Sequence, residues 1–278
     1  MQDTKRAIGI IGFGNMGSSI AERIKTKFEV WVFDKDKNKT ENLRGINIAD
    51  NSTDLVNKVQ IIILAVKPQD LGVVLNEIKN YVKRKLIISI AAGVSTAYIE
   101  ESLGEARVVR AMPNIGTKIG RSVTCLCKGK STPDKDLRVT KEIFKYIGKI
   151  QVLSEDKMNA ATAISGSGPG YYFDEIESQP QVYKNNTYKF QKDFILRLKK
   201  AAKSLGFTDQ KAQFLANWTV VYSDLLLKQT KLSPSELKKE VTSKGGTTEA
   251  ALEVLHRGGT LVEAVKAAVK RARELSRR

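Results

Sequence analysis

"AIGIIGFGNMGSSIAERI", residues 7–24, decides how the rest of the chain is read. An apolar run at residues 7–11 leads into Gly12, Gly14 and Gly17 in G-x-G-x-x-G spacing, and helical periodicity follows over residues 15–27. Each glycine has its own physical reason in such a turn. The first makes the tight reversal, the second lets a pyrophosphate approach the backbone, and the third allows close packing of helix on strand. The free N–H groups of the helix N-terminus then receive the pyrophosphate. Candidate cofactor contacts are therefore Gly12, Phe13, Gly14, Asn15, Met16 and Gly17. A second apolar run, residues 30–33, ends in Asp34, where a carboxylate can accept hydrogen bonds from the adenosine ribose hydroxyls. An acid there favours NADH, yet Lys35, Lys37 and Lys39 follow at once and offer partners to a 2′-phosphate. At this level the choice between NADPH and NADH stays open.

Working outward, strand-like runs at residues 61–66, 86–90 and 107–112 alternate with helix-like segments at 69–81 and 96–103. Runs at 121–126 and 149–153 flank a helical pattern over 135–147. Such alternation implies βαβ units, a parallel sheet covered on both faces, and hence an α/β fold of the Rossmann type. Three further stretches fall at strand ends, the rim where ligands bind in these sheets. They are "AVKPQ" (Ala65, Val66, Lys67, Pro68), "SIAAGV" (Ala91, Gly93) and "RAMPN" (Pro113, Asn114), all candidates for a nicotinamide pocket. Beyond residue 154 the pattern is helical almost throughout, at 157–163, 194–205, 209–228, 233–241, 248–256 and 261–275. Thr208 and Ser233 stand where helix caps belong. The expected organisation is a doubly wound dinucleotide-binding domain over 1–154, then an all-helical domain over 155–278. Residues 174–193, with Pro180 and several asparagines, read as a loop or insertion.

The chain has 278 residues with 41% apolar content, enough for a sizeable core. No apolar run approaches bilayer length, and the polar start does not read as a signal segment, so a cytoplasmic protein without a membrane partner is expected. Cys125 and Cys127 read as small packing residues. His256 has no Cys or His companions, so no metal site is expected. The formal net charge of +17 suits anionic ligands in general, but the basic residues are scattered, with modest clusters such as 270–278. No aromatic-and-basic pattern accompanies them, which argues against a nucleic-acid partner.

Taken in order, "GFGNMG", "AVKPQ", "SIAAGV", "RAMPN", "AISGSGPGYYF" (163–173) and "VTSKGGTTEAAL" (241–252) resemble the motifs of the pyrroline-5-carboxylate reductase family. The resemblance implies an N-terminal Rossmann domain and an all-helical C-terminal dimerisation domain. It also implies NADPH- or NADH-dependent reduction of 1-pyrroline-5-carboxylate to L-proline, and a homodimer or an assembly of dimers. Ser243, Gly245, Gly246 and Thr247 would hold the substrate carboxylate, with Thr248 as the catalytic hydroxyl beside the imine nitrogen. An ordinary capped helix would also explain these residue types. The chain departs from the family pattern in Lys244 for proline, Ile115 and Gly116 for "TP", Gly170 for alanine, and the extra segment at 174–193. Other readings are a related imine or β-hydroxyacid reductase, or a non-catalytic nucleotide-binding regulator. "NAATAISGSGPG" lacks the lysine that β-hydroxyacid enzymes carry in that helix.

Overall fold

The computed structural model describes residues 6–104 and 106–276. The polar start at residues 1–5 and the last two arginines of the 270–278 cluster lie outside the described residues. The chain divides into two compact units, Met1–Ala111 with Leu126–Glu155, and Met112–Cys125 with Asp156–Arg278.

One sheet has the order β3-β2-β1-β4-β5-β6-β7-β8. Its strands are β1 (Ala7–Ile11), β2 (Glu29–Phe33), β3 (Asn47–Ile48), β4 (Ile61–Leu64), β5 (Leu86–Ser89), β6 (Arg107–Met112), β7 (Ser122–Lys128) and β8 (Gly148–Val152). From β3 to β6 every neighbouring pair is parallel, with Ile8 opposite both Val30 and Ile61. Helices α1 (Asn15–Ile24), α2 (Ser52–Lys58), α3 (Pro68–Ile78), α4 (Thr96–Leu103) and α5 (Asp134–Phe144) lie between the strands. The sheet alternation sorts the core into two clusters. Ile61 and Ile63 of β4 pack with Ile20 and Ile24 of α1 and with Phe144 of α5. Ile62 and Leu64 pack instead with Leu55 of α2, Leu71 and Leu75 of α3, and Ile99 of α4. That is the doubly wound arrangement expected, and it explains why β4 is apolar at every position. The short strand β3 and helix α2 had no counterpart in the sequence reading.

The second unit is helical: α6 (Met158–Ala161), α7 (Gly168–Ser178), α8 (Pro180–Asn185), α9 (Thr187–Ser204), α10 (Asp209–Gln229), α11 (Pro234–Val241), α12 (Thr247–His256) and α13 (Leu261–Leu275). Caps act where the sequence placed them. Thr208 accepts from the Lys211 amide, and Ser233 forms a full capping box with Glu236. The helix expected at 157–163 begins instead as a 3-10 turn, becomes α6, and widens into a π turn over Thr162–Gly166, closed by the Ser167 N–H on the Thr162 carbonyl.

Two expectations need correction. Residues 112–125 group with the second unit rather than with the rest of 1–154, although Ser122–Cys125 are strand residues of the sheet. The physical reason is Asn114, whose amide nitrogen donates to the Ser165 carbonyl at 3.0 Å while its Oδ1 accepts from the Gly116 and Val123 amides. Residues 174–193 are not a loop. Pro180 sits in the first turn of α8 and Asn186 caps α9 by accepting from the Lys189 amide, so both apparent breakers start helices. Tyr183 ties α8 down by donating to Asp224 Oδ1 at 2.7 Å, a carboxylate also reached by Tyr172 and Lys228.

Candidate active site

In the first unit the parallel strands bring their carboxyl ends to one edge. The glycine turn after β1 separates protein packing from ligand space. Gly12 has φ +99°, and a Cβ there would lie 2.7 Å from the Ala65 carbonyl. A Cβ on Gly17 would lie 2.0 Å from the Gly12 oxygen. Gly14 is different: a Cβ would meet nothing within 4 Å, so the fold itself does not require glycine there. The helix it opens, α1, carries no side-chain cap and no acid in its first turn. Asn15, Met16 and Gly17 thus present first-turn N–H groups that the helix cannot satisfy. An uncapped helix start behind an open glycine fits a pyrophosphate.

Asp34 follows β2 and is 9% exposed. Its Oδ2 accepts from the Phe13 amide at 2.7 Å and its Oδ1 from the Asp36 amide at 2.9 Å and from Lys39. Burial works to raise its pKa, but these amide bonds and Lys39 outweigh it, and the carboxyl is held below its ordinary value. Lys35 pairs with Asp70 at 3.0 Å. Ala65 and Val66 form the wall against Gly12, Lys67 and Pro68 start α3, Ala91 is buried, and Gly93 turns at φ +79°. Pro113 and Asn114 end β6 in the second unit, and the polar side-chain atoms of Asn114 are taken up by the protein bonds described above. Cys125 and Cys127 are buried and free; burial pushes the Cys125 thiol up to about 12, so neither is a reactive thiolate.

In the second unit the segment at 241–250 joins α11 to α12. Gly245 takes φ +67°, and a Cβ on Gly246 would lie 2.3 Å from the Ser243 hydroxyl oxygen. Two of the amides expected to grip a carboxylate are already bonded: Gly245 N–H donates to Glu249 at 2.6 Å and Gly246 N–H to the Ser243 carbonyl at 2.9 Å. Ser243 is exposed. Helix α12 has no side-chain cap, which leaves the N–H groups of Thr247, Thr248 and Glu249 without intrahelical partners. The Thr247 hydroxyl bonds that of Ser167 at 2.9 Å, joining this turn to the start of α7. Thr248, 4% exposed, donates its hydroxyl to the Val241 carbonyl at 3.1 Å. Opposite it, a Cβ on Gly170 would stand 2.6 Å from the Thr248 methyl, so the glycine for alanine exchange leaves room for this threonine. Arg271 of α13 donates to the Gly245 carbonyl at 2.6 Å and, with Glu249, stiffens a turn that has Lys244 in place of proline. Ser167, Glu249 and Arg271 were missed by sequence reasoning. Ser167 lay inside a recognisable motif, whereas nothing local signals Arg271.

A parallel nucleotide-type sheet followed by a helical unit with an open helix start suits a nicotinamide-nucleotide-dependent reductase. Residues 7–93 match the family profile "NADP oxidoreductase coenzyme F420-dependent" and residues 190–275 match "Pyrroline-5-carboxylate reductase dimerisation". A pyrroline-5-carboxylate reductase from Methanosarcina acetivorans is 33% identical over 98% of both chains, and the chain belongs to the pyrroline-5-carboxylate reductase family. Among solved structures, the reductase from Coxiella burnetii aligns over 99% of each chain with a TM-score of 0.66 and 30% identity. The Plasmodium falciparum enzyme, solved with NADP bound, aligns over 99% of each chain with a TM-score of 0.63 and 28% identity. Among the described residues no helix is long and apolar enough to cross a membrane.

Proposed function

We infer that this chain is an NAD(P)H-dependent oxidoreductase that reduces 1-pyrroline-5-carboxylate to L-proline. The observation that carries the reading is the Thr248 hydroxyl, buried, oriented by the Val241 carbonyl and set at the uncapped start of α12. A cyclic imine with a carboxylate needs an anion site and a neighbour for its nitrogen. The first-turn amides of α12 provide the anion site, aided by the positive end of the helix dipole. With its proton committed to Val241, the Thr248 oxygen has lone pairs left to accept from a protonated imine N–H. Ser167 fixes Thr247 beside it. We assign the Gly245–Gly246 backbone to shaping this turn rather than to direct amide contact, because both N–H groups already have partners, and assign the exposed Ser243 hydroxyl to the substrate carboxylate.

Bound NADPH or NADH supplies the hydride for the imine carbon. Its pyrophosphate is assigned to Gly14 and the first turn of α1, and its adenosine end to Asp34 and Lys35. The protein's contribution is orientation, worth roughly 7–11 kcal/mol when the reacting atoms are well placed. The dimerisation segment at 190–275 supports a homodimer as the working form. Steady-state reduction of 1-pyrroline-5-carboxylate with each nucleotide tests the reading. Turnover of a β-hydroxyacid without imine reduction would reject it.

A further inference from the structure

At the sheet edge opposite the glycine turn, the segments that lead into β5 and β6 border a hollow of about 780 Å³. Five cations line it: Lys79, Lys83, Arg84, Arg107 and Lys135. Val82, Leu103 and Ala106, all buried, give it an apolar floor. Of the five cations, Arg107 alone has a carboxylate partner among the described residues. Its Nη1 donates to both oxygens of Asp136 at 3.0 Å, and its Nη2 donates to the Arg84 carbonyl. The Nε of the same side chain is buried and has no partner among the described residues. Glu105, the acid between Gly104 and Ala106 in sequence, lies outside the described residues. Counting it with Asp136, the cations still outnumber the acids.

Pairing with helix ends explains one of these cations. Lys79 follows the last turn of α3, where a positive charge meets the negative end of the dipole. Lys135 stands instead in the first turn of α5, the end that disfavours a cation. Arg84 holds φ +63°, a left-handed conformation that costs a residue with a side chain on the order of 1–3 kcal/mol. Cations gathered round one hollow repel each other, and a multiply charged anion relieves that repulsion. We propose that this hollow binds a small molecule carrying two or more linked phosphates. Ammonium and guanidinium groups are strong donors to phosphate oxygens, and a single carboxylate would leave most of them unmatched. The volume is that of a small-ligand site, and the apolar floor suits a ring attached to the phosphate chain.

The test is isothermal titration calorimetry on the full chain saturated with NADH, with inorganic tripolyphosphate as first probe and ATP as second. Tripolyphosphate is expected to bind with NADH present, and more weakly as salt rises. Lys83→Ser/Arg84→Gly removes two charges and hands the positive φ to a residue that adopts it freely, so circular dichroism should show an intact fold. Affinity in that variant should fall about tenfold or more. Lys83→Ser alone, which leaves the backbone of residue 84 unaltered, should lose about threefold or more. Lys27→Glu is the control: it makes the same change in net charge at an exposed position ahead of β2, on the same sheet edge, and should stay within about threefold of the parent. ATP binding tighter than tripolyphosphate identifies a nucleotide as the ligand, and equal affinities identify the phosphate chain alone; either supports the site. No binding at low salt, displacement of tripolyphosphate by NADH, or an equal loss in Lys27→Glu overturns it. A DNA oligomer that outcompetes both probes overturns the small-molecule assignment.

Discussion

Thr248 and Gly14 are the two residues whose chemistry is least explained by packing, and each makes a separable prediction. Replacing Thr248 by alanine removes the acceptor proposed for the imine and leaves the residues assigned to the nucleotide untouched. The kcat/KM for 1-pyrroline-5-carboxylate should fall about ten- to a hundredfold, nucleotide dissociation constants should stay level, and Thr248→Ser should recover most of the loss. Unchanged kinetics in the alanine variant would assign the hydroxyl to capping alone. Gly14→Ala meets no steric obstacle, so its melting temperature should stay within about 2 °C of the parent while nucleotide affinity drops. Gly12→Ala should behave oppositely. Its positive φ and the Ala65 carbonyl at 2.7 Å cost on the order of 1–3 kcal/mol, a fall of roughly 2–12 °C. If both variants lose stability equally, the distinction between packing glycine and ligand glycine fails.

At the scale of elements, helix α8 is held by the hydrogen bond and the ring contact of one residue, Tyr183. Val182 remains 55% exposed, and the tie to α10 runs through Tyr183 and Asp224. Tyr183→Phe should cost about 1 kcal/mol and speed amide exchange in α8 without changing that of α10, because Tyr172 and Lys228 still satisfy Asp224. Uniform exchange across both helices would reject this local anchoring. The same element shows where a sequence becomes hard to read. Gly12, Thr208 and Ser233 were legible because turn and cap chemistry is decided within a few residues. Pro180 and Asn186 carried the same residue types as loop breakers but stand at helix starts, and the tie from Tyr183 to the distant Asp224 leaves no local signal. The two-residue strand β3 has too few positions for any alternation to appear. Within the candidate site, the threonines at the start of α12 were visible, but the bonds that use up the Gly245 and Gly246 amides depend on Glu249 and on the shape of the turn.

Across the whole molecule, acid lability should trace to carboxylates that folding keeps ionised. Burial of Glu155 works to raise its pKa, yet the Arg110 charge and bonds from Cys127 and Thr96 hold the carboxyl below its ordinary value. A depressed carboxyl contributes stability that is complete above its unfolded pKa and disappears as pH falls through the folded one. Melting temperature should therefore decline below about pH 4.5, and Glu155→Gln should lower stability near neutrality while flattening that acid-side slope. A variant with the parent's slope would place the effect elsewhere. Sedimentation equilibrium should give twice the chain mass if the dimerisation segment acts as its family match suggests. Lastly, Arg271 makes α13 a brace for the turn ahead of α12, 26 positions upstream. Removing that guanidinium, as in Arg271→Ala, should therefore weaken the proposed substrate grip without touching any residue assigned to substrate contact.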